Sequence, residues 1–253
     1  MLDETKVTEL ILRGYMEDLL KNITADVVIV GAGPSGLTAA YYLAREKKKV
    51  VVFDRRLSIG GGMWAGGMFF NKIVVEERGR EILDEIGILY EKKEKYYVAD
   101  AIHAVSALGY MATKVGAKIF NAITVEDVIL RDERVEGVVI NWSTAKGYPV
   151  DPLVVKSRFV VDATGHEATV VDTLVRKNDI RISTPSGRFE GEHSLYMEIA
   201  ESIIEENARE VYPGLYVTGM AANAVFGSPR TGPIFGGMFL SGRKVAKEIL
   251  KRL

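Results

Sequence analysis

Val27-Val28-Ile29-Val30 is a short, uninterrupted apolar run, and Val50 to Phe53 is a second. Runs of this length fit strands buried on both faces. Between them, apolar positions recur at helical spacing, which predicts a β-α-β unit. Across the chain the same reading predicts strands at about 26–31, 49–54, 117–120, 124–130, 135–141, 156–162 and 214–219. Helices are predicted at about 34–46, 75–86, 100–115, 194–207 and 234–252. The alternation of strand and helix in the first half predicts a parallel sheet covered on both faces. Arg131-Asp132-Glu133-Arg134 predicts the turn of a hairpin, part of an insertion around 120–155 in a single domain spanning 1–253. From Asp3 to about Ile23, Val7, Leu10, Ile11, Tyr15 and Leu19 share one stripe of a predicted docking helix. Lys177 to Glu192 collects Asn178, Pro185, Ser186, Gly187 and Gly191 among charges, and reads either as a mobile loop over a site or as a plain surface loop.

The first strand runs directly into Gly31-Ala32-Gly33-Pro34-Ser35-Gly36, and a helical pattern follows from Leu37. In this setting Gly31 permits a tight turn, Gly33 admits a pyrophosphate to the backbone, and Gly36 lets the helix pack close to the strand. The free N–H groups at the helix start favour phosphate. The second strand ends at Asp54, 23 positions after Gly31, where a carboxylate suits an adenosine ribose. Arg55 and Arg56 are candidates for a 2′-phosphate, but Asp54 repels one, so an unphosphorylated dinucleotide such as NAD is expected. Gly60-Gly61-Gly62-Met63-Trp64 is a second glycine-rich segment at the same end of the sheet, read either as a ligand-contacting loop or as a flexible connection.

The 253 residues carry a net charge of -1 with no long block of either sign, so nucleic acid is excluded as an expected partner. No cysteine is present, which removes disulfides, thiolate metal sites and any step that consumes the chain's own thiol. No apolar run approaches the roughly 20 residues that span a bilayer, so no membrane association is expected and the expected location is the cytoplasm.

Three histidines are present. His103 lies mid-helix among apolar residues and reads as a packed structural side chain. His193, at a predicted helix start, reads as an exposed cap. His166 follows Ala163-Thr164-Gly165 at the ligand end of a strand, 15 residues after Asp151-Pro152. An imidazole and a carboxylate with open coordination positions suit a divalent iron or a similar metal, although two ligands do not define a site. Arg230 is placed just before a helix N-terminus, where it either holds a carboxylate or is a surface arginine. The order of glycine turn, acid, second glycine loop, Val160-Val161-Asp162-Ala163-Thr164-Gly165 and Gly214-Leu215-Tyr216-Val217-Thr218-Gly219 resembles the glutathione-reductase-like flavoprotein class. Those proteins carry an acid where this chain has Met220, which counts against a flavin.

Taken together, Gly31-Ala32-Gly33-Pro34-Ser35-Gly36, Asp54-Arg55, Gly60-Gly61-Gly62-Met63-Trp64, Val150-Asp151-Pro152, Thr164-Gly165-His166 and Arg230-Thr231-Gly232-Pro233 resemble the thiamine thiazole synthase family, in particular its sulfide-dependent prokaryotic branch. The resemblance implies an enzyme that consumes NAD as a substrate. It would release nicotinamide, open and isomerise the ribose, condense it with glycine, add sulfur and close a thiazole still attached to ADP. It also implies nucleotide contacts at Ser35, Asp54, Arg55, Gly62, Val125 and Met220 beside the glycine turn, with Pro149 and Val150 at the same ligand. Arg230 would take the glycine carboxylate, and Asp151 and His166 would bind Fe(II), the two coming from neighbouring subunits of a homo-octamer. Members that give up a cysteine sulfur carry it just before the Asp-Pro pair, where this chain has Tyr148-Pro149, so sulfide must come from outside. A flavin-dependent oxidoreductase and a non-catalytic nucleotide or thiazole sensor are the alternative readings.

Overall fold

The computed structural model describes residues 1–145 and 147–253. Helix α1 (Glu4–Lys21) leads into β1 (Thr24–Val30), α2 (Pro34–Arg45) and β2 (Val50–Asp54). A glycine-rich loop then precedes β3 (Lys72–Glu76), α3 (Arg80–Ile86), β4 (Tyr90–Lys93), β5 (Tyr96–Asp100) and α4 (Ala101–Lys114). Next come β6 (Lys118–Asn121), β7 (Ile123–Arg131), β8 (Arg134–Trp142), β9 (Leu153–Asp162) and α5 (Thr169–Asn178). The chain finishes with α6 (Met197–Asn207), β10 (Glu210–Tyr212), β11 (Leu215–Val217), α7 (Met220–Val225) and α8 (Gly236–Leu250).

This is an α/β protein built on a Rossmann-type sheet in the order β10-β11-β9-β1-β2-β6. β11, β9, β1, β2 and β6 run parallel, so their C-terminal ends share one edge. Val27 to Ile29 and Val50 to Phe53 are buried at the centre, as continuous apolar strands covered on both faces must be. Helix α2 packs against α4 and α8. The β7–β8 hairpin leaves the C-terminal end of β6, touches β2 and pairs antiparallel with the first part of β9. Its turn is at Asp132-Glu133, both with positive φ (46° and 57°), the mirror-image conformation that matches strand twist.

Two predicted elements differ from the structure, and several elements, among them α5, α7 and the β4–β5 pair, have no predicted counterpart. The segment 75–86 is not one helix: Ile73 and Val75 alternate inward on β3, which pairs with β5, and α3 begins only at Arg80. The strand that claims β3 is β5, separated from it by α3 and β4, and period-two burial over five residues is too short to stand out from a helical pattern. Helix α5 was not predicted. The docking stripe of α1 is only partly docked: Leu19 is buried, Tyr15 meets Phe120 edge-on at 5.8 Å and Asp18 pairs with Lys118, yet Val7, Leu10 and Ile11 remain exposed. No helix among the described residues is long and apolar enough to cross a membrane.

Candidate functional site at the C-terminal edge of the sheet

Open α/β sheets bind ligands beyond the C-terminal ends of their strands, and the glycine motif occupies that edge. Gly31 has φ 102°, and a Cβ there would stand 2.4 Å from the Ala163 carbonyl oxygen. Gly36 is equally constrained, since its Cβ would lie 2.0 Å from the Gly31 oxygen. Gly33 differs: nothing lies within 4 Å of the place its Cβ would take, leaving backbone open to a ligand at the start of α2. The second glycine loop folds back over this turn through the Gly60 N–H, which donates to the Ala32 carbonyl at 2.6 Å. Gly62 in that loop likewise faces open space.

Asp54 is buried, and its two oxygens accept from the Ala32 N–H at 2.7 Å and the Arg56 N–H at 2.8 Å. The carboxylate therefore shapes the glycine turn and retains lone pairs for a ribose. Val125 enters β7 just beyond Asn121, which is level with Asp54 across the β2–β6 pair. Arg55 reaches over the end of β1 to Glu167, Nη1 to Oε2 at 3.0 Å, joining the loop after β2 to the loop after β9. Both partners are about half exposed, so this pair contributes little stability and matters as a geometric link.

The turn after β9 is set by Asp162. Its fully buried carboxylate accepts from the Thr164 N–H and hydroxyl, at 3.0 and 2.7 Å, and from the Val170 and Val171 N–H groups, at 2.9 and 3.0 Å. Burial raises its pKa against the pull of these four donors. One side chain thus fixes the loop that carries His166 and caps α5. His166 is half exposed, and its Nδ1 lies 2.5 Å from Glu192 Oε1. The other oxygen of Glu192 lies 3.5 Å from Arg230 Nε. Sequence reasoning missed Glu192: it sits 26 residues from His166 in a segment without periodicity, and an isolated acid there carries no pattern.

The last strand completes this edge. Gly219, at φ 63°, packs on α2 so closely that a Cβ would stand 2.4 Å from Ser35 Oγ, and Met220 follows as the first residue of α7. The Thr231 hydroxyl donates to Met220 Sδ at 3.4 Å, which ties the Arg230 loop to the nucleotide end. Arg230 itself lies six residues before α8, so it is not just before a helix N-terminus; an extended loop carries it, with its side chain 53% exposed. His193 is not a helix cap either, because α6 begins at Met197 and the His193 backbone bridges to Pro229. His103 has the structural role expected of it, its Nδ1 accepting the Leu89 N–H at 3.3 Å.

Pro149, Val150 and Asp151 stand apart from this cluster, on the exposed connection before β9, while His166 follows the other end of that strand. The structure therefore does not bring Asp151 and His166 together within one chain. No group of three metal-ligating side chains forms among the described residues. Tyr148, Val150, Leu153 and Val154 around Asp151 are all exposed, as are Leu195 and Tyr196 near the Arg230 loop.

The Thi4 family matches residues 8–235 of the chain. The thiamine thiazole synthase of Methanothermobacter thermautotrophicus is 55% identical over 255 residues, covering 100% of this chain and 99% of that protein. That of Pyrococcus horikoshii is 54% identical over 256 residues, with coverage of 100% and 99%. The crystal structure of Thermovibrio ammonificans THI4 superposes with a TM-score of 0.97 at 52% identity, covering 100% of this chain and 99% of that one. With a family match over most of its length and relatives of this similarity along all of it, the chain belongs to the Thi4 family.

Proposed function

We propose that this chain is a thiamine thiazole synthase that converts NAD, glycine and sulfide, with Fe(II), into an ADP-linked thiazole carboxylate. The observation that carries the reading is the continuous set of contacts at one sheet edge, from the open Gly33 turn through Met220 and Thr231 to Arg230, Glu192 and His166. This edge supports a reading in which a dinucleotide seat, a carboxylate-binding cation and a metal-ligating imidazole are neighbours. The free N–H groups of α2 and the exposed backbone at Gly33 hold the pyrophosphate. Asp54, Ser35, Arg55, Gly62, Val125 and Met220 bound the rest of the nucleotide, and Pro149 and Val150, at the other end of β9, would reach it only from a neighbouring subunit. Met220 fills, with a buried thioether, the place where a flavoprotein of this class carries an acid, which disfavours the flavin alternative.

The donor set fits iron. With Nδ1 turned to Glu192, His166 presents Nε2 outward, and the exposed Asp151 carboxylate offers oxygen. Because the two lie at opposite ends of β9, a complete site takes His166 from one subunit and Asp151 from another. The exposed apolar residues flanking Asp151 suit burial in such an interface, and those of α1 suit a further one. Both features support the homo-octamer that the resemblance implies. Fe(II), when bound, would supply a Lewis-acidic centre with affinity for sulfur. The protein's own part is to orient glycine through Arg230, the NAD-derived ribose through Asp54 and the glycine turn, and the metal through His166 and Asp151. Sulfur enters from solution, since the chain has no thiol to give.

Arg230→Lys tests the glycine assignment. Lysine keeps the charge but loses the planar fork that grips a carboxylate with two parallel bonds. The apparent KM for glycine should rise roughly tenfold, the worth of one charge-assisted hydrogen bond, while that for NAD stays near the wild-type value. Steady-state rates at varied glycine and varied NAD measure this, and equal rises in both would remove Arg230 from the glycine site.

A further inference from the structure

Glu192 touches both the imidazole and the guanidinium of the site, although nothing in the reaction calls for a third acid. Its carboxylate is only 17% exposed and its oxygens are divided, Oε1 at 2.5 Å from His166 Nδ1 and Oε2 at 3.5 Å from Arg230 Nε. The backbone around it is pinned on both sides: the Glu190 N–H donates to the Val225 carbonyl at 3.2 Å, and the His193 N–H donates to the Ser228 carbonyl at 3.1 Å. Gly191, at φ 86°, makes the turn that aims the side chain inward. What looks in sequence like a loose polar loop is thus a built support behind two functional side chains.

A carboxylate offers acceptors to this contact, so it is a hydrogen bond in the tautomer that carries the proton on His166 Nδ1. That choice of tautomer leaves Nε2 with its lone pair free, the arrangement in which a carboxylate behind a histidine orients the ring and raises its basicity toward a metal. Toward Arg230 the same carboxylate engages Nε and leaves the two terminal nitrogens free as a fork. We propose that Glu192 is a positioning residue that sets the His166 tautomer for metal binding and, through its second oxygen, aims the Arg230 fork at the carboxylate of the amino-acid substrate. This role rests on the iron and glycine assignments above.

Two substitutions separate its halves. Glu192→Gln keeps a carbonyl oxygen that can accept from Nδ1–H, but turns an NH2 group toward Arg230, donor against donor. Glu192→Ala removes both contacts. In metal-free protein, 15N spectra of the histidine ring should show the Nδ1–H tautomer for wild type and Glu192→Gln, and its loss in Glu192→Ala. Anoxic Fe(II) titration by calorimetry should show affinity down about 10–100-fold in Glu192→Ala and within a few-fold of wild type in Glu192→Gln. The KM for glycine should rise in both variants with the KM for NAD unchanged, and unaltered NAD affinity shows that both are folded. If Glu192→Ala keeps the wild-type tautomer and iron affinity, the role is overturned while the iron site stands. If wild type binds no Fe(II), the iron reading fails and this role fails with it.

Discussion

Neither Asp151→Ala nor His166→Ala should turn over, yet the two proteins mixed in one oligomer should recover about one-quarter of the wild-type rate. A site shared between neighbours is intact only where a subunit retaining His166 meets one retaining Asp151. Random assortment satisfies each condition half the time, which gives the quarter. The expectation follows from placement: His166 pairs with Glu192, while Asp151 lies before the other end of β9 among exposed apolar residues. Each single variant should lose Fe(II) affinity as well as activity, because an octahedral ion with one remaining protein ligand is held weakly. Native mass spectrometry establishes that subunits have mixed. Mixed oligomers without recovered activity would show that each chain builds its own metal site.

A second large effect is expected at the start of α8. Glu76 and Glu201 approach the start of α8 so closely that a Cβ on Gly236 would stand 2.0 Å from Glu76 Oε2, and one on Gly237 2.6 Å from Glu201 Oε2. Glu201 accepts the Gly237 N–H at 2.8 Å, but its Oε1 and the Oε2 of Glu76 are buried without a partner. Burial and then the Glu76 charge push the Glu201 carboxyl up to about 8, against the Gly237 N–H and the nearby Arg78 guanidinium, which is itself paired with Glu205. Burial raises Glu76 as well. A carboxyl whose folded pKa is raised contributes its full stability below the unfolded value near 4.5 and loses it as pH climbs through about 8. Wild type should therefore weaken between about pH 5 and pH 9. Glu201→Gln keeps the acceptor for Gly237 and removes the charge, so it should be more stable than wild type at pH 9 by on the order of 3 kcal/mol. That corresponds to roughly 5–10 °C in Tm. At pH 5, just above the unfolded value, the difference should shrink to about 1 kcal/mol or less, and thermal denaturation at both values decides. An equal difference at pH 5 and pH 9 would show that the acid pair does not titrate in this range.

The glycine turn and the acid that ends β2 were legible in sequence because their signals are local. Val27 to Val30 must be a two-faced buried strand, Gly31 and Gly36 occupy positions where a Cβ collides with backbone, and Asp54 ends the next strand. The hairpin at Asp132-Glu133 was equally plain, since two polar residues divide two apolar runs. Helix α5 was not legible for the opposite reason: it has only Val170, Val171 and Leu174 buried, begins at Thr169 after an Ala168 that offers no side-chain cap, and is capped instead by Asp162, eight residues before Val170. Glu192 was hidden in the same way, its meaning coming only from the approach of His166 and Arg230 in space. The exposed face of α1 shows a further limit, because an amphipathic pattern reports that a surface will be covered without saying by what.

On the proposed reading, this chain would make a thiazole from external sulfide and remain chemically unchanged. A protein thiol consumed as the sulfur donor leaves dehydroalanine behind and allows one reaction per chain, and no cysteine is present here to be consumed. Ferrous iron and sulfide coexist only without oxygen, so the measurement belongs under anoxic conditions. Wild-type protein is incubated with NAD, glycine and Fe(II), with sulfide supplied or withheld, and the ADP-linked product per subunit is quantified by mass spectrometry beside the intact protein mass. Several products per subunit are expected with sulfide, none without it, and no change in polypeptide mass; product formed without sulfide, or a fixed loss of mass for each product, would rule out external sulfide as the donor.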